Sequence, residues 1–189
     1  MRVSREKMNE NRERVLEAAA ELFRSRGIEG ISVADIMEAA GLTHGGFYRH
    51  FESKDDLAAQ ACARAFEQAL DRLVARRGNL ERYTDSYLTE RHRDRPEQGC
   101  PIACFAAEIG GSAAPVQASY VEGLTEYLAL LAERMPRERA IALISTLVGA
   151  LLLARATSVQ SPKLSAEILA SVRRTLHASE ADSERGPAK

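Results

Sequence analysis

Apolar side chains recur three or four positions apart from one end of the chain to the other, and no segment alternates with period two long enough to make a strand. The spacing predicts an all-α fold of about nine helices. Val15, Leu16, Ala19, Leu22 and Phe23 make one stripe over residues 10–26. Val33, Ile36, Met37 and Ala40 make a short second one, and Phe47 with Phe51, four apart, give the inner side of a third segment, 45–51. A longer helix is expected from residue 53 toward 77, with Leu57, Phe66, Leu70 and Leu73 inward and Gly78 as its stop. A helix over 80–92 should end in the basic run Arg91, His92, Arg93 and Arg95, whose charge would complement the helix dipole, before Pro96 breaks it. Gly99-Cys100-Pro101 opens the next helix and Gly110-Gly111 ends it. Residues 116–134 place Val121, Leu124, Leu128 and Leu131 at helical spacing; 137–160 form a helix apolar nearly all round; 164–177 carry Ile168, Leu169, Val172 and Leu176 on one face. Residues 178–189 read as a solvated tail.

Residues 32–57 hold the most specific local signals. Ser32 and Asp35 have capping-box spacing, Gly41 ends the helix they start, and Thr43 stands where it can cap the next one. Ser53 and Asp56 repeat the box at the start of the long helix. Two short helices joined by a Gly-containing turn form the unit that presents its second helix to a DNA major groove. Phe47 and Phe51 face inward, which leaves Tyr48, Arg49 and His50 facing mainly outward. Lys54 occupies a first helical turn, where a cation is electrostatically disfavoured, so a functional reason for it is expected.

These residues resemble the tetracycline-repressor (TetR) family of bacterial transcription regulators. The resemblance runs through Thr43, His44, Gly45, Gly46, Phe47, Tyr48, Arg49, His50 and Phe51 to Ser53-Lys54-Asp55, with Gly27, Gly30, Ile31, Ser32, Val33, Ile36, Ala40 and Gly41 as its lead-in. Gly46 departs from the pattern, since relatives more often carry Thr, Ser or Ala there, so no side chain can touch a base from that position. Past the first third of the chain the resemblance is architectural only. It implies an arm and helix-turn-helix DNA-binding domain over 1–54 (motif 32–51) and a ligand-binding and dimerisation domain over 55–178; the polar residues 179–189 are expected to be a disordered tail.

Nine positions are expected to face DNA: Ser32, Thr43, His44, Gly45, Gly46, Tyr48, Arg49, His50 and Lys54. Thr43 and His44 start the reading helix, whose N-terminal residues point at base edges. The resemblance assigns Tyr48 and His50 to phosphates, and Lys54 with the amides at its helix start would hold another. Gly45 and Gly46 either let the backbone approach DNA closely or form a loose turn, and Arg49 either contacts DNA or sits in solvent. An apolar penultimate helix needs neighbours on several sides, which with the amphipathic last helix suits a homodimer interface. A twofold dimer would read an inverted repeat of double-stranded DNA.

Charge does not advertise this partner. The chain of 189 residues has a net charge of −1, and residues 1–57 hold nine Lys/Arg against eleven Asp/Glu, so binding must rest on a few focused phosphate contacts. Residues 1–14, with five basic side chains (Arg2, Arg5, Lys7, Arg12, Arg14) against three acidic ones, would form an arm that follows DNA or frays. The N-terminus offers no secretory apolar core, and the most apolar run, 140–154, is broken by Ser145, Thr146 and Gly149 and closed by Arg155, so no membrane association and a cytoplasmic location are expected.

In regulators of the resembled kind, an effector in the larger domain shifts the spacing of the reading helices. Candidate pocket residues are Cys62, Phe66, Tyr83, Tyr87, Cys104, Phe105, Tyr120 and Tyr127, although aromatics on helices more often serve as plain core. Cys100, before Pro101, falls at a helix N-cap, where a thiolate is stabilised, with Cys104 four residues on. The pair would sense electrophiles or pack as small hydrophobes. No metal or cofactor is expected, because Cys100 and Cys104 lack a third ligand at a useful spacing, although His92 is near in sequence. The expected function is a dimeric repressor released from an inverted-repeat operator by a small molecule or thiol-reactive electrophile, and not an enzyme, since no hydrolase elbow, phosphate loop, zincin pair or nucleotide fingerprint occurs. The alternatives are an all-helical thiol peroxidase using Cys100 and Cys104, and a helical protein-binding module.

Overall fold

A computed structural model describes residues 5–75 and 80–185. Gly78, expected as a helix stop, Arg2 of the basic arm and residues 186–189 of the tail lie outside the described residues. Those described are all helix and connection: α1 Arg5–Arg26, α2 Val33–Ala39, a 3-10 turn His44–Arg49, α3 Lys54–Ala75, α4 Leu80–Tyr87, α5 Glu90–Asp94, α6 Pro101–Phe105, α7 Ala114–Ala132, α8 Arg137–Thr157 and α9 Pro162–Arg185. Short 3-10 turns precede α6 (Pro96–Gln98) and α7 (Ile109–Gly111). The chain divides into two compact units, Met1–Asp71 with Pro96–Tyr127 and Arg72–Arg95 with Leu128–Lys189.

In the first unit α1 contributes Val15, Leu16, Ala19, Ala20 and Phe23 to the core, α2 adds Ile36 and Met37, and α3 adds Leu57, Ala61, Cys62, Ala65 and Phe66. Polar cross-links sit at the rim of this core. Gln68 donates to Glu17 at 2.9 Å and accepts from Arg24 at 3.1 Å, and Arg64 donates to Glu13 at 2.7 Å. Arg24 is buried, so its bond to Gln68 helps to satisfy a charge removed from water. On α7 the inward stripe is Val116, Tyr120 and Tyr127, whereas Val121 is 61% exposed. The expected phase, set on Val121, Leu124, Leu128 and Leu131, is therefore off by about one position; of those four only Leu131 is buried, Leu124 and Leu128 being half-buried. Apolar residues lie all round this helix, so spacing alone could not choose the face.

In the second unit α8 buries Ala140, Leu143, Ile144, Leu147, Ala150, Leu151 and Ala154. Ile141, Leu152 and Leu153 on its other side are exposed. By length and composition α8 would suffice to cross a bilayer, contrary to the expectation from its interruptions, but its inner face is the core of this unit. Ser165 of α9 is fully buried and donates to the Ala154 carbonyl at 2.7 Å. The helix expected over 80–92 is two, with Thr89 capping α5 through its hydroxyl, which accepts from the His92 N–H at 3.1 Å. Arg91, His92 and Arg93 fall in the last turn of α5, where the dipole favours cations as expected, and the run is also bonded within the unit. Arg93 holds Asp94 at 2.6 Å and Ser165 at 2.9 Å, while the carbonyls of His92 and Arg93 accept, each at 3.1 Å, from Arg155 of α8. Helix α9 continues to Arg185, into the segment read as a tail.

Candidate nucleic-acid interface

Helix α2 starts as its sequence dictates. Ser32 Oγ accepts the Asp35 N–H at 3.2 Å and the Asp35 carboxylate accepts the Ser32 N–H at 2.9 Å. These bonds hold the Asp35 carboxyl below its ordinary pKa, the Ser32 hydroxyl contributing most. The helix stops at Gly41, whose φ of +66° is left-handed; its N–H donates to the Glu38 carbonyl and that of Leu42 to Met37, both at 2.8 Å, the paired bonds of a Schellman motif. Arg14 of α1 donates to the Ala40 carbonyl at 2.5 Å, so α1 grips the end of the first short helix.

The next segment is a 3-10 turn rather than the α-helix expected. Two consecutive glycines disfavour the α form by about 1 kcal/mol each relative to Ala, which accounts for the short, tight winding. Thr43 occupies the N-cap position with an extended backbone (φ −82°, ψ 144°), but its hydroxyl makes no capping bond; its carbonyl accepts the Gly46 N–H at 3.0 Å. The predicted side-chain cap is thus absent. Phe47 is fully buried and Phe51 nearly so, their rings 5.7 Å apart, and Tyr48 projects with 73% of its surface exposed. Thr43, His44, Gly45 and Arg49 are exposed beside it, and His50 is half-buried. The protein itself does not demand glycine at either position of the pair: a Cβ on Gly45 would meet nothing within 4 Å, and one on Gly46 would make ordinary contact with Met37 at 3.5 Å.

Arg12 stands over the Phe51 ring at 5.3 Å and bonds Gln60. His50 lies close to this charge: burial, then Arg12 and Arg49, push its pKa below the ordinary value. Ser53 caps α3 by accepting the Asp56 N–H at 3.0 Å; the Asp56 carboxylate reaches one residue further back than a capping box requires, to the Glu52 N–H at 3.0 Å. Lys54, half-buried, is the first residue of α3. From residue 5 the expected basic arm is helix, and Lys7, Arg12 and Arg14 contact Glu10, Gln60 and Ala40 within the fold. Arg12 and Arg14 as supports of the reading turn were not foreseen; no local spacing signals contacts that cross 48 and 26 positions.

A first helix with one face in the core, a capped short helix, and a turn whose one face is core and whose other face is solvent match the arrangement of a DNA-reading unit. Residues 15–61 match the family of bacterial regulatory proteins, tetR family. A helix-turn-helix transcriptional regulator of Mycobacterium tuberculosis, itself uncharacterised, is 30% identical over 162 residues, covering 76% of this chain and 84% of that protein. The chain belongs to the TetR family. A TetR transcriptional regulator from Chloroflexus aurantiacus superposes with a TM-score of 0.73 at 27% identity, covering 91% of this chain and 96% of that one. The reduced form of E. coli NemR superposes equally well, TM-score 0.73, at 21% identity over 87% of this chain and 96% of that one, a likeness of fold. As a TetR-family member the protein is a DNA-binding transcription regulator and not an enzyme, which removes the peroxidase reading of Cys100 and Cys104.

The candidate effector residues divide between the two units. Cys62, Phe66, Cys100, Cys104, Phe105, Tyr120 and Tyr127 lie in the first unit, Tyr83 and Tyr87 in the second. Phe66 and Tyr120 meet edge to face at 5.6 Å. Tyr120 donates to the Ile102 carbonyl at 3.4 Å, and its pKa is pushed up to about 12 by burial, then by Cys100 and Cys62 nearby. In the second unit Tyr87 packs against Tyr83 at 5.9 Å with the rings tilted by 54°, and meets His92 edge-on at 4.5 Å. Cys100 is the N-cap of α6, with Pro101 at its first position, but is buried, and α6 has only 5 residues. Cys104 Sγ donates to the Pro96 carbonyl at 3.6 Å. Burial raises the Cys62 thiol to about 12.

Proposed function

We propose that the protein is a homodimeric, effector-responsive repressor that reads an inverted-repeat DNA site with the turn His44–Arg49. The observation that carries the reading is the contrast between adjacent residues: Phe47 is sealed in the core while Tyr48 is 73% exposed. Such a turn is anchored from beneath and free to enter a groove. Thr43, with its hydroxyl not used in capping, and His44 read base edges; Tyr48, His50 and Lys54 hold phosphates. Arg49 lies exposed on the same face, and Ser32 contributes from its helix start. The outer face of α8, carrying Ile141, Leu152 and Leu153, with Leu164 of α9, supplies the apolar area for the twofold partner. The regulator works in the cytoplasm, where its DNA is.

For the effector the buried aromatics favour a small apolar molecule over an electrophile. Cys62 is held as the thiol, Cys100 is buried, and Cys104 donates to a carbonyl. The test is fluorescence anisotropy on DNA flanking the protein's own gene, with footprinting. Protection of an inverted repeat by two protomers supports the reading; protection of an asymmetric site by one protomer overturns it.

A further inference from the structure

Helices α4 and α9 of the second unit bring together three side chains that no sequence spacing connects. Glu81 and Asp85 stand four apart on α4, hence on one face of it, and His177 comes from α9. One ligand atom from each, two carboxylate oxygens and one imidazole nitrogen, lies within 4.8 Å of both others. We propose that Glu81, Asp85 and His177 bind a zinc-type divalent cation that ties α4 to α9.

Two observations beyond proximity point to an ion. His177 Nε2 and Asp85 Oδ1 are 3.1 Å apart, and ligands bonded at about 2.0–2.2 Å to a tetrahedral zinc stand about 3.3–3.6 Å from one another, so the two atoms need part by only a few tenths of an ångström. Nε2 is also closed off from solvent, yet it has no aligned hydrogen-bond partner among the described residues; the short approach to Asp85 is an ion-pair distance without hydrogen-bond geometry. A buried ring nitrogen without a partner is costly, and a cation between it and the carboxylates would accept its lone pair. One nitrogen and two oxygens suit zinc better than a hard ion held by oxygen alone or a soft ion held by sulfur, and Glu81, being exposed, leaves room for water on the open side. Arg173 Nε stands 4.0 Å from the same Asp85 oxygen and competes with the ion for it. Removing that guanidinium therefore strengthens binding.

Equilibrium dialysis of the full-length, chelator-stripped protein against zinc tests the site. The expected result is one zinc per chain, lost in His177→Ala and in Asp85→Asn, retained in Cys100→Ser, and tighter in Arg173→Gln. Absence of stoichiometric zinc, or zinc retained undiminished by His177→Ala, overturns the proposal. If the ligand variants do not fold, the cobalt spectrum of the wild-type protein decides: visible bands without thiolate charge transfer uphold the nitrogen and oxygen site, and a thiolate band or no bound cobalt overturns it.

Discussion

The carboxylate of Glu108 accepts the backbone N–H of Ile28 at 3.0 and 3.2 Å, tying the turn after α6 to the loop between α1 and α2. Gly27 makes the approach feasible: its φ is +79°, and a Cβ there would sit 2.9 Å from Glu108 Oε2. A hydrogen bond with a charged partner contributes about 1.5–3 kcal/mol, and half-burial puts this one toward the lower figure. Glu108→Ala should cost about 1.5 kcal/mol in urea denaturation, and Gly27→Ala at least about 1 kcal/mol through backbone strain and the lost approach. Because both changes break one contact, the double variant should lose less than their sum. Strict additivity would show that the contact contributes nothing.

Phe47 and Tyr48 should separate stability from DNA affinity. Phe47→Ala empties a fully buried site and should cost about 3–5 kcal/mol. Tyr48→Ala should change stability by no more than about 0.5 kcal/mol while weakening DNA binding by about tenfold, across sequences and not at one base. Gly45→Ala should fold normally, since its Cβ meets nothing, and still weaken DNA binding if the backbone comes close to the duplex. Thermal melts and anisotropy titrations of the three variants check this; unaltered titrations for Tyr48→Ala and Gly45→Ala would remove the turn from the interface.

What could be read from the chain was what short segments decide. The Ser32–Asp35 box, the left-handed stop at Gly41, the inward pair Phe47 and Phe51, and Pro101 opening α6 each depend on residues within about four positions, where backbone geometry sets the outcome. The winding of the reading turn was missed because Gly45 and Gly46 weaken the α form without forbidding it. The inner face of α7 was missed because Tyr120 and Tyr127 outcompeted Val121 for burial in a helix with apolar residues on every side. Contacts such as Glu108 with Ile28, or His177 with Asp85, join positions far apart in the chain, and only the packed fold brings them together.

Phe66 packs directly on the backbone of α7. A Cβ at Gly123 would lie 2.3 Å from Phe66 Cγ and 2.8 Å from its Cβ, so the ring and its helix would have to move. Gly123→Ala should cost about 1–3 kcal/mol, the usual range for overpacking, despite the better helix propensity of alanine. Adding Phe66→Leu should recover part of that loss, because the smaller side chain vacates the space. A Gly123→Ala protein that melts at or above the wild-type temperature would show that α7 and Phe66 do not meet as described.

The three cysteines should differ in reactivity toward a disulfide reagent. Cys62 is fully buried with its thiol raised to about 12, so in the native protein it should stay silent at neutral pH. Cys104, half-buried, should react first, and Cys104→Ser should remove the fast phase. All three should react after unfolding in urea. Loss of the fast phase in Cys62→Ser instead would contradict the burial of that residue.

His50 should give stability and DNA affinity opposite dependences on pH. Its folded-state pKa lies below the ordinary 6.5 because burial, then Arg12 and Arg49, disfavour the charged ring. The folded protein therefore holds fewer protons at this site than the unfolded chain. The stability that the neutral ring supports is whole above 6.5 and is lost as pH falls through the window beneath it. A DNA phosphate beside the ring reverses the preference, since an adjacent anion favours the charged form, so binding should take up a proton and tighten as pH is lowered through the same window. His50→Gln should flatten both profiles. Urea denaturation and anisotropy titrations between pH 5.5 and 7.5, about a unit to either side of the ordinary histidine value, measure the two slopes. A DNA affinity that tightens equally in His50→Gln would place the titrating group elsewhere, and one that is flat in the wild-type protein would separate His50 from the phosphate altogether.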